Sequence, residues 1–401
     1  MSKPIAIVLD PWDLPFNGGV VSSRRFIRAL EAQGHDFRIL CSEDNLSETR
    51  YSDSSSTTDD LVVFDALSIP GFNRIIRGMK VLLAKPDREK VRQALVGCRL
   101  LHVQFPFFLG FVAIEEAVKL GIPIVCTFHV QPENLLMNVG IKSRLLSKIL
   151  YRIFLKFIYE RADLVIAPSQ FACDLLKTQG LKAPTEVISN GVPESFLQLS
   201  KVHGSESELM AENGEFYILS VGRLSGEKRQ DLLIAAISKS KYSAKIHLRI
   251  VGVGPNEEKL KRLLLASGVR GRIGSVSDEE LLQCHRETDL FVHSGEIELE
   301  GMSVVEAMAA SNVVLVSDSR DSASGLFALS EHALFKVGDI LDLSQKIDYW
   351  IENRLLRIEQ GRANREYIQQ YKHANCIQLL ADIYERVASI EIERQLEQMR
   401  A

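Results

Sequence analysis

Asp289-Leu290-Phe291-Val292-His293-Ser294-Gly295-Glu296-Ile297-Glu298-Leu299-Glu300-Gly301-Met302-Ser303-Val304-Val305-Glu306-Ala307-Met308-Ala309-Ala310 is the stretch that decides the fold. A short apolar run, the pattern of a strand buried on both faces, leaves through a turn rich in carboxylates and becomes helical at about Gly301. A helix N-terminus carries unpaired N–H groups and the positive end of the helix dipole. Such groups suit phosphate, and ionised carboxylates accept from sugar hydroxyls. Glu298 and Glu306 flank the turn about two helical turns apart, which makes both candidate ligand contacts.

The same strand–turn–helix alternation runs through the chain. Ile5 to Leu9 is an apolar run leading to Asn17-Gly18-Gly19-Val20, followed by a helical pattern from about Val21 to Gln33 and a strand from Phe37 to Cys41. Adjacent glycines let backbone N–H groups approach a phosphate or a sugar; the plainer reading is a tight turn. Strands are also expected at Leu100 to Gln104, Ile122 to His129 and Asp163 to Ser169. His129 falls at the C-terminal end of its strand, where ligands gather in open α/β sheets, although a lone histidine is as readily a structural residue. Residues 44–60 and 200–214 are polar and read as loops, the second as the domain boundary.

After that boundary the alternation restarts. Tyr217 to Val221 forms a strand ending in Gly222-Arg223-Leu224-Ser225-Gly226-Glu227-Lys228, with a helix from about Gln230 to Lys239. Arg223 and Lys228 bracket this loop, where two cations and free N–H groups can hold a diphosphate. His247 to Pro255 repeats the strand and glycine turn. From about Leu341 the tail is helical.

Length and composition bound the rest. A chain of 401 residues suffices for two domains, and 46% hydrophobic with 25% charged residues is a globular composition. A formal charge of -4 gives no global reason to expect nucleic acid. The six cysteines are scattered without C-x-x-C spacing and read as reduced core residues of a cytoplasmic protein. No signal peptide and no membrane-spanning run is expected.

One local asymmetry stands out. Between Asn134 and Tyr159 no acidic residue occurs, while Lys142, Arg144, Lys148, Arg152 and Lys156 interleave with Leu145, Leu146, Ile149, Leu150, Ile153, Phe154 and Phe157. A basic stripe recurring every four residues on an otherwise apolar helix is the pattern of a helix lying on an anionic membrane, or of a core helix with a solvated cationic face. A second basic stretch, Arg74, Arg77, Lys80 and Lys85, favours the membrane.

Taken together, Asn17-Gly18-Gly19-Val20, Thr127-Phe128-His129, Ser189-Asn190-Gly191-Val192, Val221-Gly222-Arg223-Leu224-Ser225-Gly226-Glu227-Lys228, and Glu298 to Glu306 followed by Ala307-Met308-Ala309 resemble the retaining glycosyltransferases of family four. The resemblance covers nearly the whole chain. It implies the GT-B fold: two Rossmann-like α/β domains facing each other across a cleft. The first would span 1–197 plus the C-terminal helix 373–401, and the second 215–372. It implies a nucleotide-sugar donor, UDP- or GDP-linked, with Glu306 on the ribose and Glu298, Gly301 and Met302 on the transferred sugar. Gly222, Arg223 and Lys228 would hold the diphosphate, Gly18 and Gly19 would approach it, and His129 would contact the sugar.

No side-chain nucleophile and no cofactor is implied. Glu296, Glu298 and Glu300 could hold Mg2+ if extended, but Arg223 and Lys228 make a metal unnecessary. Family members that glycosylate lipids at the cytoplasmic membrane face carry basic amphipathic segments like 142–157, so a lipid or lipid-linked acceptor at an anionic membrane is the expected partner. The chain departs from the family pattern at Glu300, Ser225-Gly226, Ser311 and Pro193. A soluble acceptor is the first alternative, and a catalytically silent sugar-nucleotide-binding module the second.

Overall fold

The computed structural model describes residues 3–12, 18–42, 60–67, 83–138, 140–199 and 214–400, with no side chains described at 138 or 390–400. Asn17, the basic residues Arg74, Arg77 and Lys80, and most of both polar loops lie outside these ranges. The chain divides into two compact units, Met1–Ser189 with Cys376–Ala401, and Asn190–Asn375.

The first unit is a seven-stranded sheet built from β1 (Ile5–Val8), β2 (Phe37–Ser42), β3 (Leu61–Phe64), β4 (Leu100–Val103), β5 (Ile124–Thr127), β6 (Leu164–Ala167) and β7 (Thr185–Val187). Their order is β3-β2-β1-β4-β5-β6-β7. Every pairing is parallel, with Ile7 opposite both Ile39 and His102. A parallel strand is covered by helices on both faces, which is why β1, β4, β5 and β6 are apolar runs buried at every position. The chain reverses its direction of sheet growth between β1 and β4. That switch point is where the exits of β1 and β4 leave a crevice.

The C-terminal helix His373–Arg400 completes this core: Ile377, Leu380, Ile383, Tyr384 and Val387 are buried among Ile5, Val20 and Phe37. β3 and the helix Arg88–Leu95 are absent from the sequence expectations. β3 is a four-residue edge strand that is half exposed, and the helix buries only Val91, Ala94 and Leu95 beneath a polar surface, capped by Asp87. Neither presents a strong period.

The second unit holds β8 (Phe216–Val221), β9 (Ile246–Val251), β10 (Gly271–Gly274), β11 (Leu290–His293), β13 (Val313–Ser317) and β15 (Leu334–Phe335) in the order β10-β9-β8-β11-β13-β15, again parallel. Its switch point lies between β8 and β11. A separate two-stranded ribbon joins β12 (Ile297–Glu298) to β14 (Asp321–Ser322).

The division between units differs from the expected boundary. Residues 190–197, assigned from the sequence to the first domain, belong to the second unit. The cause is packing: Val192, Phe196, Leu197 and Leu199 are buried with Val304, Val305, Met308 and Ile368. Val192 also exchanges backbone hydrogen bonds with Tyr371 and His373.

Two loops of the second unit are forced together by glycine. A Cβ at Gly252, whose φ is +153°, would collide with the Gly222 carbonyl, and one at Gly254 with the backbone of Leu224. Gly268, with φ +70°, meets nothing within 4 Å. We therefore expect Gly252→Ala to lower the unfolding free energy of this unit by about 2 kcal/mol or more, and Gly268→Ala by only about 1 kcal/mol. Urea unfolding of the two variants checks the order; equal losses would contradict the close approach of the two loops.

Candidate functional site

Around the second unit's switch point, the β8 and β11 exits are stitched together. Glu296 N–H donates to the Glu227 carbonyl at 2.8 Å, and the Ser294 hydroxyl lies 2.9 Å from the carbonyls of both Lys228 and Arg229. Ser317 and Ser319 donate to the carbonyls of Gly295 and Glu296 at 2.6 Å each, holding the turn from its other side. The loop is left with two ion pairs, Lys228 with Glu298 and Arg229 with Glu296. Arg229 holds φ +49°, an uncommon value for a side chain other than glycine, and its guanidinium also reaches Asp231 at 3.2 Å.

The electrostatics follow from this packing. Burial pushes the Glu298 carboxyl up, but the Lys228 ammonium outweighs it and holds the group below the ordinary carboxylate range. Burial pulls Lys228 down, yet Glu298 and Glu227 more than offset it and hold the ammonium above its ordinary value, with Arg223 opposing. Both partners thus stay charged at neutral pH. His293, only 3% exposed, is pushed down to about 4 by burial and Lys228, so its ring is neutral. Its Nε2 lies 3.6 Å from Glu298 Oε2, beyond hydrogen-bond reach.

The expected residues Gly222, Arg223, Lys228, Glu298 and Gly301 converge here. The backbone of Gly222 faces the Lys228 side chain, and that of Gly301 faces Ser324 Oγ and Glu298. Gly301, at φ +94°, precedes the helix Met302–Ala309, whose first N–H groups lack intrahelical partners. Glu306 lies on that helix, 9% exposed. Glu298 belongs to β12 rather than to the helix.

The acidic triplet does not act as one group. Glu296 pairs with Arg229, Glu298 with Lys228, and Glu300, 3% exposed, accepts from the Asn190 N–H at 3.2 Å and from its side-chain amide. Glu300 is therefore an anchor for the Asn190-Gly191 turn. The departure at Ser311 also has a local reading: it sits at φ +59°, a conformation glycine adopts without cost.

In the first unit, Gly18 and Gly19 are not a turn but the first residues of the helix Gly18–Glu31. The exits of β1, β4 and β5 bring Gly19 against Phe105 and His129: an added Cβ would lie 3.2 Å from Phe105 and 3.3 Å from the imidazole. His129 Nε2 is 3.0 Å from Gln104 Oε1, and burial pushes its pKa down to about 4.

The helix Arg144–Phe157 is capped by Ser143 and buries Ser147, Tyr151, Phe154 and Leu155. It exposes large apolar side chains: Leu145 is 70% exposed, and Leu146, Ile149, Ile153 and Phe157 are near 40%. Arg144, Lys148, Arg152 and Lys156 are exposed beside them, and Lys142 just before.

Sequence reasoning passed over Arg229, Ser294, Gln104 and Asp10. The Asp10 side chain is fully buried at the end of β1, accepts from Ala84 N–H at 3.1 Å, and is pushed up to about 7 by burial. An acid directly after a buried parallel strand was the available signal.

Residues 206–368 match the family described as Glycosyl transferases group 1, and residues 16–196 match Glycosyltransferase Family 4. An alpha-monoglucosyldiacylglycerol synthase of Streptococcus pneumoniae is 26% identical over 354 residues, 84% of this chain and 77% of that protein. A GDP-mannose-dependent alpha-mannosyltransferase of Mycobacterium tuberculosis is 26% identical over 221 residues, 55% of each. Among solved structures, the sucrose-phosphate synthase of Thermosynechococcus elongatus aligns with a TM-score of 0.75 at 17% identity, covering 97% of this chain and all of that one. The Anabaena protein HepE, solved with UDP and glucose, gives 0.74 at 18%, covering 96% and all of that chain.

Asp10 supplies a pH test. Its folded pKa is raised, so the stability tied to its neutral form is complete below the unfolded value near 4 and is lost as pH rises through about 7. Wild type should lose up to about 4 kcal/mol between pH 4 and pH 8 from this group alone. Asp10→Asn should flatten that slope in urea unfolding; an unchanged slope would contradict the assignment. With two parallel-sheet Rossmann-like units, a cation-and-carboxylate loop at the second sheet's switch point and both family matches, this chain belongs to the family four, group 1 glycosyltransferases of the GT-B fold.

Proposed function

We propose that this protein is a retaining hexosyltransferase that moves a hexose from a UDP- or GDP-sugar to a lipid or lipid-linked acceptor at an anionic membrane surface. The observation that carries the acceptor is the outward face of the helix Arg144–Phe157. A solvated cationic face would not need Leu145, Ile149 and Ile153 exposed beside the basic stripe. An interfacial helix needs both. Similarity to a glucosyldiacylglycerol synthase supports the same choice.

On the donor side, Gly222, Arg223 and Lys228 take the diphosphate, Glu306 the ribose, and Glu298 with the N–H groups near Gly301 and Met302 the transferred sugar. Lys228 and Glu298 occupy one another until the donor gives each its own partner. In this reading His129 contacts the sugar, and Gly18 and Gly19 offer N–H groups to the diphosphate. The bond from the anomeric carbon to the β-phosphate oxygen breaks, and the acceptor oxygen bonds on the same face. Its proton passes to the departing phosphate, whose growing charge Arg223 and Lys228 stabilise. With Arg223 and Lys228 on the diphosphate, this reading needs no divalent metal.

Among the described residues no helix is long and apolar enough to cross a membrane, and a peripheral protein on the cytoplasmic face fits the proposal. The test uses labelled UDP-glucose or GDP-mannose with diacylglycerol in vesicles, with and without anionic lipid. We expect turnover and binding to need the anionic lipid, and an axial linkage from the axial donor. Lys148→Glu, Arg152→Glu and Lys156→Glu together should weaken vesicle binding about 100-fold or more, since each basic residue contributes about 1 kcal/mol near such a surface. Indifference to anionic lipid would remove the membrane reading, and an inverted anomeric centre would remove retention.

A further inference from the structure

The first unit contains a buried hydrogen-bond chain that links the motif residues Thr127 and His129 to Gln104, His102 and Tyr384, which lie outside the motifs. It begins on the C-terminal helix, where the Tyr384 hydroxyl lies 2.7 Å from His102 Nδ1. The other ring nitrogen, His102 Nε2, lies 2.7 Å from Thr127 Oγ1. The Gln104 amide nitrogen approaches both nitrogens of His102 at 3.3 and 3.4 Å, and the Gln104 carbonyl oxygen meets His129 Nε2 at 3.0 Å. Tyr384, His102, Gln104 and Thr127 are all buried.

The chemistry of each link restricts the next. A neutral imidazole has one N–H and one lone pair, and a glutamine amide has a donor end and an acceptor end. Two hydroxyls hold the His102 ring through its two nitrogens, and the amide nitrogen of Gln104 is turned toward that ring. The acceptor end is then left for His129, and an acceptor there requires the proton on Nε2. His129 Nδ1 keeps its lone pair, and among the described residues His129 has no second hydrogen-bond partner. A lone pair takes a hydroxyl hydrogen, so it suits a sugar and gives an incoming carbonyl or phosphate oxygen nothing to bind.

We propose that Gln104 is a positioning residue that locks His129 in the Nε2–H tautomer, so that His129 receives a donor-sugar hydroxyl only as an acceptor through Nδ1. Tyr384, through His102, sets the orientation of Gln104 and so ties the C-terminal helix to the imidazole. The lock is independent of ligand; its effect on turnover rests on the reading that His129 meets the transferred sugar.

The experiment is two-bond proton–nitrogen NMR of the full-length protein labelled at histidine nitrogen, alongside UDP-glucose kinetics. Wild type should show His129 as Nε2–H. Gln104→Leu should give a mixture of tautomers and a loss of about tenfold in kcat/KM, the worth of one neutral hydrogen bond. Gln104→Glu should keep Nε2–H while raising the His129 pKa, because a carboxylate favours the imidazolium; turnover would then fall on the acid side, where Nδ1 is protonated. A structural role alone would not move that pH profile. Tyr384→Phe should shift the tautomer balance less than Gln104→Leu.

An Nδ1–H form in wild type overturns the proposal, as does a Gln104→Leu protein with unchanged tautomer. If the tautomer shifts while both Gln104→Leu and His129→Ala turn over like wild type, the lock stands and the sugar-contact reading falls, taking the functional half of the proposal with it.

Discussion

The contact on which the candidate site depends is the ion pair of Lys228 with Glu298, made where the exits of β8 and β11 meet. Neither charge tolerates this half-buried position alone. The desolvation that pushes Glu298 up and pulls Lys228 down is outweighed only because each faces the other. The backbone ties from Glu296 to Glu227 and from Ser294 to Lys228 and Arg229 hold the loops at that distance, and the glycines at 252 and 254 give the β8 exit room to lie there. In the proposed reading, donor binding exchanges this ion pair for charge contacts with the donor.

The fold was legible because parallel strands buried on both faces are written as unbroken apolar runs. Ile5 to Val8, Leu164 to Ala167 and Leu290 to His293 could be read directly. The edges were not, because β3 and the helix Arg88–Leu95 bury too little to carry a period. The boundary at 189/190 escaped for another reason. Residues 190–199 are attached by packing to Met308 and Ile368, more than a hundred positions away, whereas a composition shift marks only where the chain turns polar.

That Gly222, Arg223, Lys228 and Glu298 gather at strand exits of the second unit was legible in the sequence, but their pairings were not. That Glu300 would serve Asn190 instead of joining Glu296 and Glu298 is a contact across 110 residues, with no local pattern to announce it. Gln104 stayed hidden because a glutamine after a buried strand carries no signal until its neighbour His129 is placed beside it. The helix Arg144–Phe157 shows the reverse case. Its basic stripe was plain, and the exposure of Leu145, Ile149 and Ile153 beside it was not.

The most direct measurement of the central claim is calorimetric donor binding, with UDP-glucose and GDP-mannose, to wild type, Lys228→Met, Glu298→Gln and the double variant. If the pair is the donor site held in readiness, each single change weakens binding of the accepted donor by about tenfold or more. The double variant then weakens it by less than the product of the two, because the residues act on one ligand and on each other. Singles that bind the donor as wild type does would contradict the account, leaving Lys228 and Glu298 as a structural clasp between two loops.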